Sequence, residues 1–139
     1  MSALWRLRHA RAVTPKDEAI LFAERTLAVR FPADYTSWLQ DNDGLEGDLG
    51  GCHLSLYAVE ELVELNRDSA VAEFIPGLVL IGTDGGGEGI GLDLRGADSP
   101  VVLVNLDSLR WDEAIYQAAS FAVFLDERIR GQPFRWDHT

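Results

Sequence analysis

Leu78-Val79-Leu80-Ile81-Gly82-Thr83-Asp84-Gly85-Gly86-Gly87-Glu88-Gly89-Ile90-Gly91-Leu92-Asp93-Leu94 is the stretch that decides the fold. Its first residues form a continuous apolar run, as expected of a strand covered on both faces. Gly89 to Leu94 then alternates between glycine or acid and aliphatic side chains. The segment between them, Thr83 to Glu88, is short and glycine-rich, so the two strands are read as hairpin partners. A phosphate-binding loop is the competing reading, and it fails on chemistry. Such a loop needs a lysine followed by Ser or Thr ahead of a helix. Here there is no lysine, Asp84 and Glu88 would meet the phosphate, and a strand pattern follows. The glycines therefore serve a tight turn.

Downstream of this hairpin, Pro100 precedes Val101-Val102-Leu103-Val104-Asn105, another strand. A closing helix is expected over about Asp112 to Ile129, with Ile115, Ala118, Ala122, Leu125 and Ile129 in helical register and Trp111 stapling its start. Upstream, Pro76-Gly77 marks a turn. Val59 to Leu65 reads as a helix with Val59, Leu62 and Val63 inward and Glu60, Glu61 and Glu64 outward. His53 to Tyr57 alternates as a strand, and Leu45 to Gly51 reads as a loop. Nearer the N-terminus, Thr14 caps a helix with Pro15 at its first position and Asp17 completing a capping box. Ile20, Ala23 and Leu27 carry that helix to about Val29. Pro32 interrupts it, and a second helix over Ala33 to Asn42 turns Tyr35, Trp38 and Leu39 inward before Gly44 stops it. Helices first, then clustered strands, then a closing helix give a single α+β domain with a mainly antiparallel sheet. Residues 1–13 are read as an N-terminal extension, 14–130 as the domain and 131–139 as a C-terminal tail.

A chain of 139 residues suits one core, and 47% hydrophobic with 25% charged residues is globular usage. No apolar run approaches the roughly 18–20 residues of a bilayer span, so no membrane partner is expected. The opening MSALWRLRHARAV lacks the continuous apolar stretch and small-residue cleavage site of a signal peptide. One cysteine, Cys52, permits neither an internal disulfide nor a thiolate zinc cage. A cytoplasmic location is the resulting expectation. The net charge of -11 disfavours direct contact with nucleic acid. That charge is uneven. Residues 1–40 hold six basic against four acidic residues, whereas residues 41–73 hold nine acids against Arg67 alone. Such a stretch is either a solvated face or a docking surface for a basic partner, which it would draw in by long-range attraction.

No constellation commits the chain to catalysis. Cys52 and His53 are neighbours on an alternating strand and so point to opposite faces, while His9 and His138 lie near the termini. No G-x-S-x-G elbow occurs. Asp84, Glu88 and Asp93 do not reproduce the calcium-loop spacing, and Asp41-Asn42-Asp43-Gly44 matches only its beginning. No metal or cofactor is expected. Of the four tryptophans, Trp38 is read as core, and Trp5 and Trp136 are read as docked near the chain ends.

The order of these motifs resembles the SUKH superfamily, in particular its Smi/Knr cell-wall-regulator-like group. Three stretches carry the resemblance: Thr14-Pro15 through Ile20, Glu24-Arg25, Phe31-Pro32-Ala33-Asp34-Tyr35, Trp38-Leu39 and Asn42-Asp43-Gly44; Leu80 to Gly87 followed by Ile90-Gly91-Leu92-Asp93; and Ala119 to Leu125. The chain departs from the group's pattern at Phe31, where leucine is usual, and at Asp43, which separates Asn42 from Gly44. The resemblance implies that Pro32 breaks the chain between helices and that Tyr35, Trp38 and Leu39 seat the second helix. It further implies that Gly82, Gly85, Gly86 and Gly87 let the sheet turn, and that Phe121, Phe124 and Leu125 close the core. Bacterial members of the group are commonly immunity proteins that bind a cognate toxin, often a nuclease or deaminase. The resemblance therefore implies a non-enzymatic binding protein whose partner is a toxin, and the acidic 41–73 stretch points to a basic surface on that partner. Asp41, Asp43, Glu46, Asp48, Glu60, Glu61 and Glu64 are the candidate contacts. A regulatory or scaffolding module and a small ligand- or metal-binding enzyme are the alternatives, and the sequence leaves oligomeric state open.

Overall fold

The structure is a computed structural model, and it describes residues 14–49 and 51–137. Trp5, His9, His138 and the N-terminal extension lie outside the described residues. Helix α1 (Pro15–Leu27) begins as its sequence demands: the Thr14 hydroxyl accepts the Asp17 amide at 3.1 Å, and the Asp17 carboxylate accepts the Thr14 amide at 3.1 Å. It ends at Ala28 in the left-handed region, after which the Glu24 carboxylate accepts the Phe31 amide at 2.8 Å and fixes the reversal. Pro32 then caps helix α2 (Ala33–Asp41), which buries Tyr35 and Leu39 fully and Trp38 partly.

Six strands follow, each antiparallel to its neighbour and lying in chain order across one sheet. They are β1 (Leu45–Leu49), β2 (Cys52–Leu56), β3 (Leu78–Thr83), β4 (Glu88–Asp93), β5 (Val101–Asn105) and β6 (Ile115–Ala118). Helices α3 (Val59–Asp68) and α4 (Val71–Phe74) connect β2 to β3, and α5 (Phe121–Ile129) follows β6. The expected α+β domain with N-terminal helices, an antiparallel sheet and a closing helix is what the chain forms.

Two expectations need correction. Leu45 to Leu49 is a strand, not a loop: it pairs with β2 from Leu45↔Leu56 to Leu49↔Cys52. Its alternate Leu45, Gly47 and Leu49 turn inward while Glu46 and Asp48 face solvent. Asp112 to Ile129 is not one helix. A single 3-10 turn over Trp111–Glu113 and the edge strand β6 occupy its first half, and α5 starts only after Ser120, whose hydroxyl accepts the Val123 amide at 3.2 Å. Trp111 does not staple a helix. Its indole donates to the Pro76 carbonyl at 2.8 Å, with the Arg95 guanidinium 3.5 Å above the ring centroid.

The sheet is covered on both faces, which is why the 78–82 run is uniformly apolar. Val79, Ile81, Ile90, Leu92, Val101 and Leu103 face the main core with Ile20, Tyr35, Leu39, Leu62, Phe121 and Phe124 from the helices. Leu78, Leu80, Val102 and Val104 face a smaller cluster closed by Val71, Ile75 and Leu109. Gly82 is needed for strand approach, since a Cβ there would collide with the Ser55 carbonyl of β2. Gly85 makes the turn at φ +85°, whereas a side chain at Gly87 would meet open space. Phe134 is buried in the main core, so the packed unit extends past residue 130. Trp136, by contrast, stays 57% exposed, although its ring stands 6.0 Å from that of Phe134.

Tyr35 offers a test of this packing. Its ring sits edge-on to Phe31 and Phe121 at 5.4 and 5.0 Å, but its hydroxyl is buried with no hydrogen-bond partner among the described residues. Burial accordingly pushes its ionisation far above the ordinary tyrosine range. Removing an unsatisfied buried hydroxyl relieves a desolvation cost of about 1–3 kcal/mol. Tyr35→Phe is therefore expected to leave the thermal midpoint unchanged or raise it. A loss above about 1 kcal/mol would mean that the hydroxyl is hydrogen-bonded after all.

Candidate functional site

Strands β3, β4 and β5 have two unlike ends. At one, Thr83 pairs with Gly89 and Glu88 with Asn105; at the other, Leu78 pairs with Asp93. Carboxylates gather at the first end and on the neighbouring β1–β2 hairpin. Glu46 and Asp48 project from β1 on the face away from the main core, where Asp48 Oδ1 lies 3.3 Å from His53 Nδ1. His53 in turn backs onto Gly85 of the β3–β4 turn, because a Cβ on Gly85 would stand 2.5 Å from His53 Cδ2. Asp84 is thereby brought beside the hairpin.

A second group of acids converges where β1 begins. Gly44 lies so close to Leu56 and Ala58 that a Cβ would come within 2.8 Å of the Leu56 carbonyl and 3.0 Å of the Ala58 amide. This contact joins the Asp41–Asp43 segment to the start of α3, which carries Glu60 and Glu61 in its first turn. Asp41, Asp43, Glu60, Glu61 and Glu64 are all exposed. Asp43 pairs with Lys16, and the Glu61 carboxylate accepts the Ala58 amide at 3.0 Å, so these two are tethered.

A signal absent from the sequence reading is the crowding around Glu88. Burial, and then the nearby carboxylates Asp84, Asp107 and Glu113, push its acid above the ordinary range, against a 3.4 Å hydrogen bond from Asn105. Asp107 and Glu113 are far from residues 41–73 in the chain, and only the strand register collects them. Asp93, by contrast, lies at the other end in a bidentate pair with Arg95, both contacts at 3.0 Å. Among the described residues no cluster of three His, Cys, Asp or Glu side chains is arranged to hold a metal. Cys52 packs towards the main core while His53 faces outward beside Asp48, so the two do not form a dyad. Among the described residues no helix is long and apolar enough to cross a membrane.

The opposite end of the sheet carries a cleft of about 940 Å³ between the α1–α2 connection, the α3–α4 junction and the β4–β5 turn. Phe31, Leu78, Val79 and Leu94 contribute apolar lining, and Arg30 and Arg67 are its cations.

Compared with known families, residues 14–127 match the SMI1 / KNR4 family (SUKH-1). No curated protein matches the chain.

Proposed function

Because the chain belongs to the SMI1 / KNR4 family (SUKH-1), we propose that it works as a binding protein without catalysis: an immunity protein that neutralises a cognate toxin of the nuclease or deaminase class by direct complex formation. The observation that supports this reading is the set of exposed carboxylates on β1 and the first turn of α3, Glu46, Asp48, Glu60 and Glu61, with the half-buried Asp84 beside the β1–β2 hairpin. A toxin that acts on nucleic acid presents a basic cleft to its substrate, and a carboxylate-rich surface competes for that cleft. Glu46 and Asp48 suit the role best, since they stand on β1, an edge strand of the sheet among the described residues. Their like charges also discourage two copies from pairing edge to edge.

The test begins with the neighbouring genes: if one encodes a large protein with a C-terminal toxic domain, coexpression of this chain should rescue cells that the domain alone kills. Rapid-mixing kinetics with the purified pair then isolate the electrostatics. Glu46→Lys, Asp48→Lys, Glu60→Lys and Glu61→Lys together should slow association about 10–100-fold at low salt and flatten its salt dependence. An unchanged association rate in the correctly folded variant would remove the acidic surface from the contact. Failure of rescue would remove the immunity role itself.

A further inference from the structure

The cleft lies at the end of the sheet away from the acidic surface proposed for that contact, and its chemistry is of the opposite sign. Six of the nine described lysine and arginine side chains lie within salt-bridge distance of a carboxylate: Lys16, Arg95, Arg110, Arg128, Arg130 and Arg135. In a chain with 23 acids against 12 bases that is the expected condition of a cation. Arg25, Arg30 and Arg67 alone among the nine have no such partner, and two of these three line the cleft, where Glu73 is the single acid. The cleft therefore carries a local positive balance in a strongly negative protein.

Its form suits a small ligand. A volume of about 940 Å³ falls within the roughly 300–1,000 Å³ range of small-molecule sites. Two turns build its walls around Ala28 and Ala70, which are two of the three non-glycine residues held at positive φ among the described residues, at 56° and 54°. Each such residue costs about 1–2 kcal/mol, so the walls are fixed by the surrounding structure rather than by local preference. An extended peptide finds no ladder here. The Leu80 amide and carbonyl are both taken by the Asn66 side chain, and Leu78 is paired with Asp93.

We propose that this cleft binds a small, largely apolar molecule bearing an acidic group, with the apolar body against Phe31, Val79 and Leu94 and the acid held by Arg30 and Arg67. Bidentate guanidinium contacts are the standard means of gripping a carboxylate or related anion.

Fluorescence titration of the full chain with anilinonaphthalene sulfonate, and in parallel with the uncharged phenylnaphthylamine, tests this assignment. The sulfonate should bind saturably at one site. Arg30→Gln with Arg67→Gln should weaken it at least about tenfold, or 1.4 kcal/mol, without shifting the thermal midpoint. The uncharged probe should bind wild type and double variant alike, because only the acid is read by the arginines. The lysine variants at the acidic end should bind the sulfonate as tightly as wild type, which separates this site from the toxin contact. Absence of saturable sulfonate binding, or equal affinity in the double variant, would overturn the proposal.

Discussion

Asn66→Leu is expected to lower the unfolding free energy by about 2–6 kcal/mol, because it orphans two buried backbone groups at about 1–3 kcal/mol each. Asn66 is 5% exposed and stands on α3, yet its side chain completes the sheet. Strand β2 pairs with β3 only at Ser55↔Thr83 and Leu56↔Gly82, with one further bond from the Tyr57 amide to the Ile81 carbonyl at 2.8 Å. The chain then leaves for α3, and β3 is left with an open edge at Leu80. Asn66 closes it: its amide nitrogen donates to the Leu80 carbonyl at 3.0 Å and to the Leu62 carbonyl at 2.8 Å, while its oxygen accepts the Leu80 amide at 2.8 Å. The carboxamide thus acts as a one-residue strand. Leucine fills the same space with neither donor nor acceptor. Denaturant unfolding measures the loss, and hydrogen exchange at the Leu80 amide locates it. A variant within about 0.5 kcal/mol of wild type, with that amide still protected, would show that the pairing carries no stability.

This contact marks the boundary of what a linear reading can find. The first helix and the central hairpin are legible because their causes are local: Thr14, Pro15 and Asp17 sit within one turn, and the 83–88 turn chemistry joins two adjacent apolar segments. Strand β1 is harder to see, because Glu46, Gly47 and Asp48 have the composition of a loop. Its signal was the alternation of Leu45, Gly47 and Leu49 ahead of Gly50-Gly51, a hairpin dipeptide. The first half of the supposed last helix misled for the opposite reason. Ile115 and Ala118 do fall in helical register with Ala122, but Ser120 is the cap, and pairing across to β5 decides what precedes it. Asp34 reaches from α2 to accept the Ala122 amide at 2.9 Å, a link across 88 residues. The acidic end has the same character. Its members from 41 to 64 can be enumerated in the sequence, whereas their junction at Gly44 and Ala58 and their extension to Asp84, Asp107 and Glu113 exist only in the fold.

Phe124→Ala is expected to cost about 3–5 kcal/mol, the usual range for a fully enclosed phenylalanine. The ring is completely buried, 6.1 Å from that of Phe134. Cavity formation is only part of the loss. The Arg128 guanidinium lies 5.1 Å from the centroids of both rings, and its side chain is almost entirely enclosed. Only Nη2 reaches a carboxylate, Glu127 at 3.4 Å, while Nε and Nη1 have no partner among the described residues. The two aromatic faces therefore provide much of what this desolvated cation retains, a contribution of about 2 kcal/mol when water is excluded. Removing one face leaves a void and a poorly compensated charge together. Trp38→Ala should cost less, since Trp38 is only partly buried and no buried cation depends on it. A double-mutant cycle separates the two components. In an Arg128→Met background the cost of Phe124→Ala should shrink by about 1–2 kcal/mol, because methionine has no charge to strand. Equal losses in both backgrounds would assign the whole effect to the cavity, and an unchanged thermal midpoint in Phe124→Ala would place the ring outside the core.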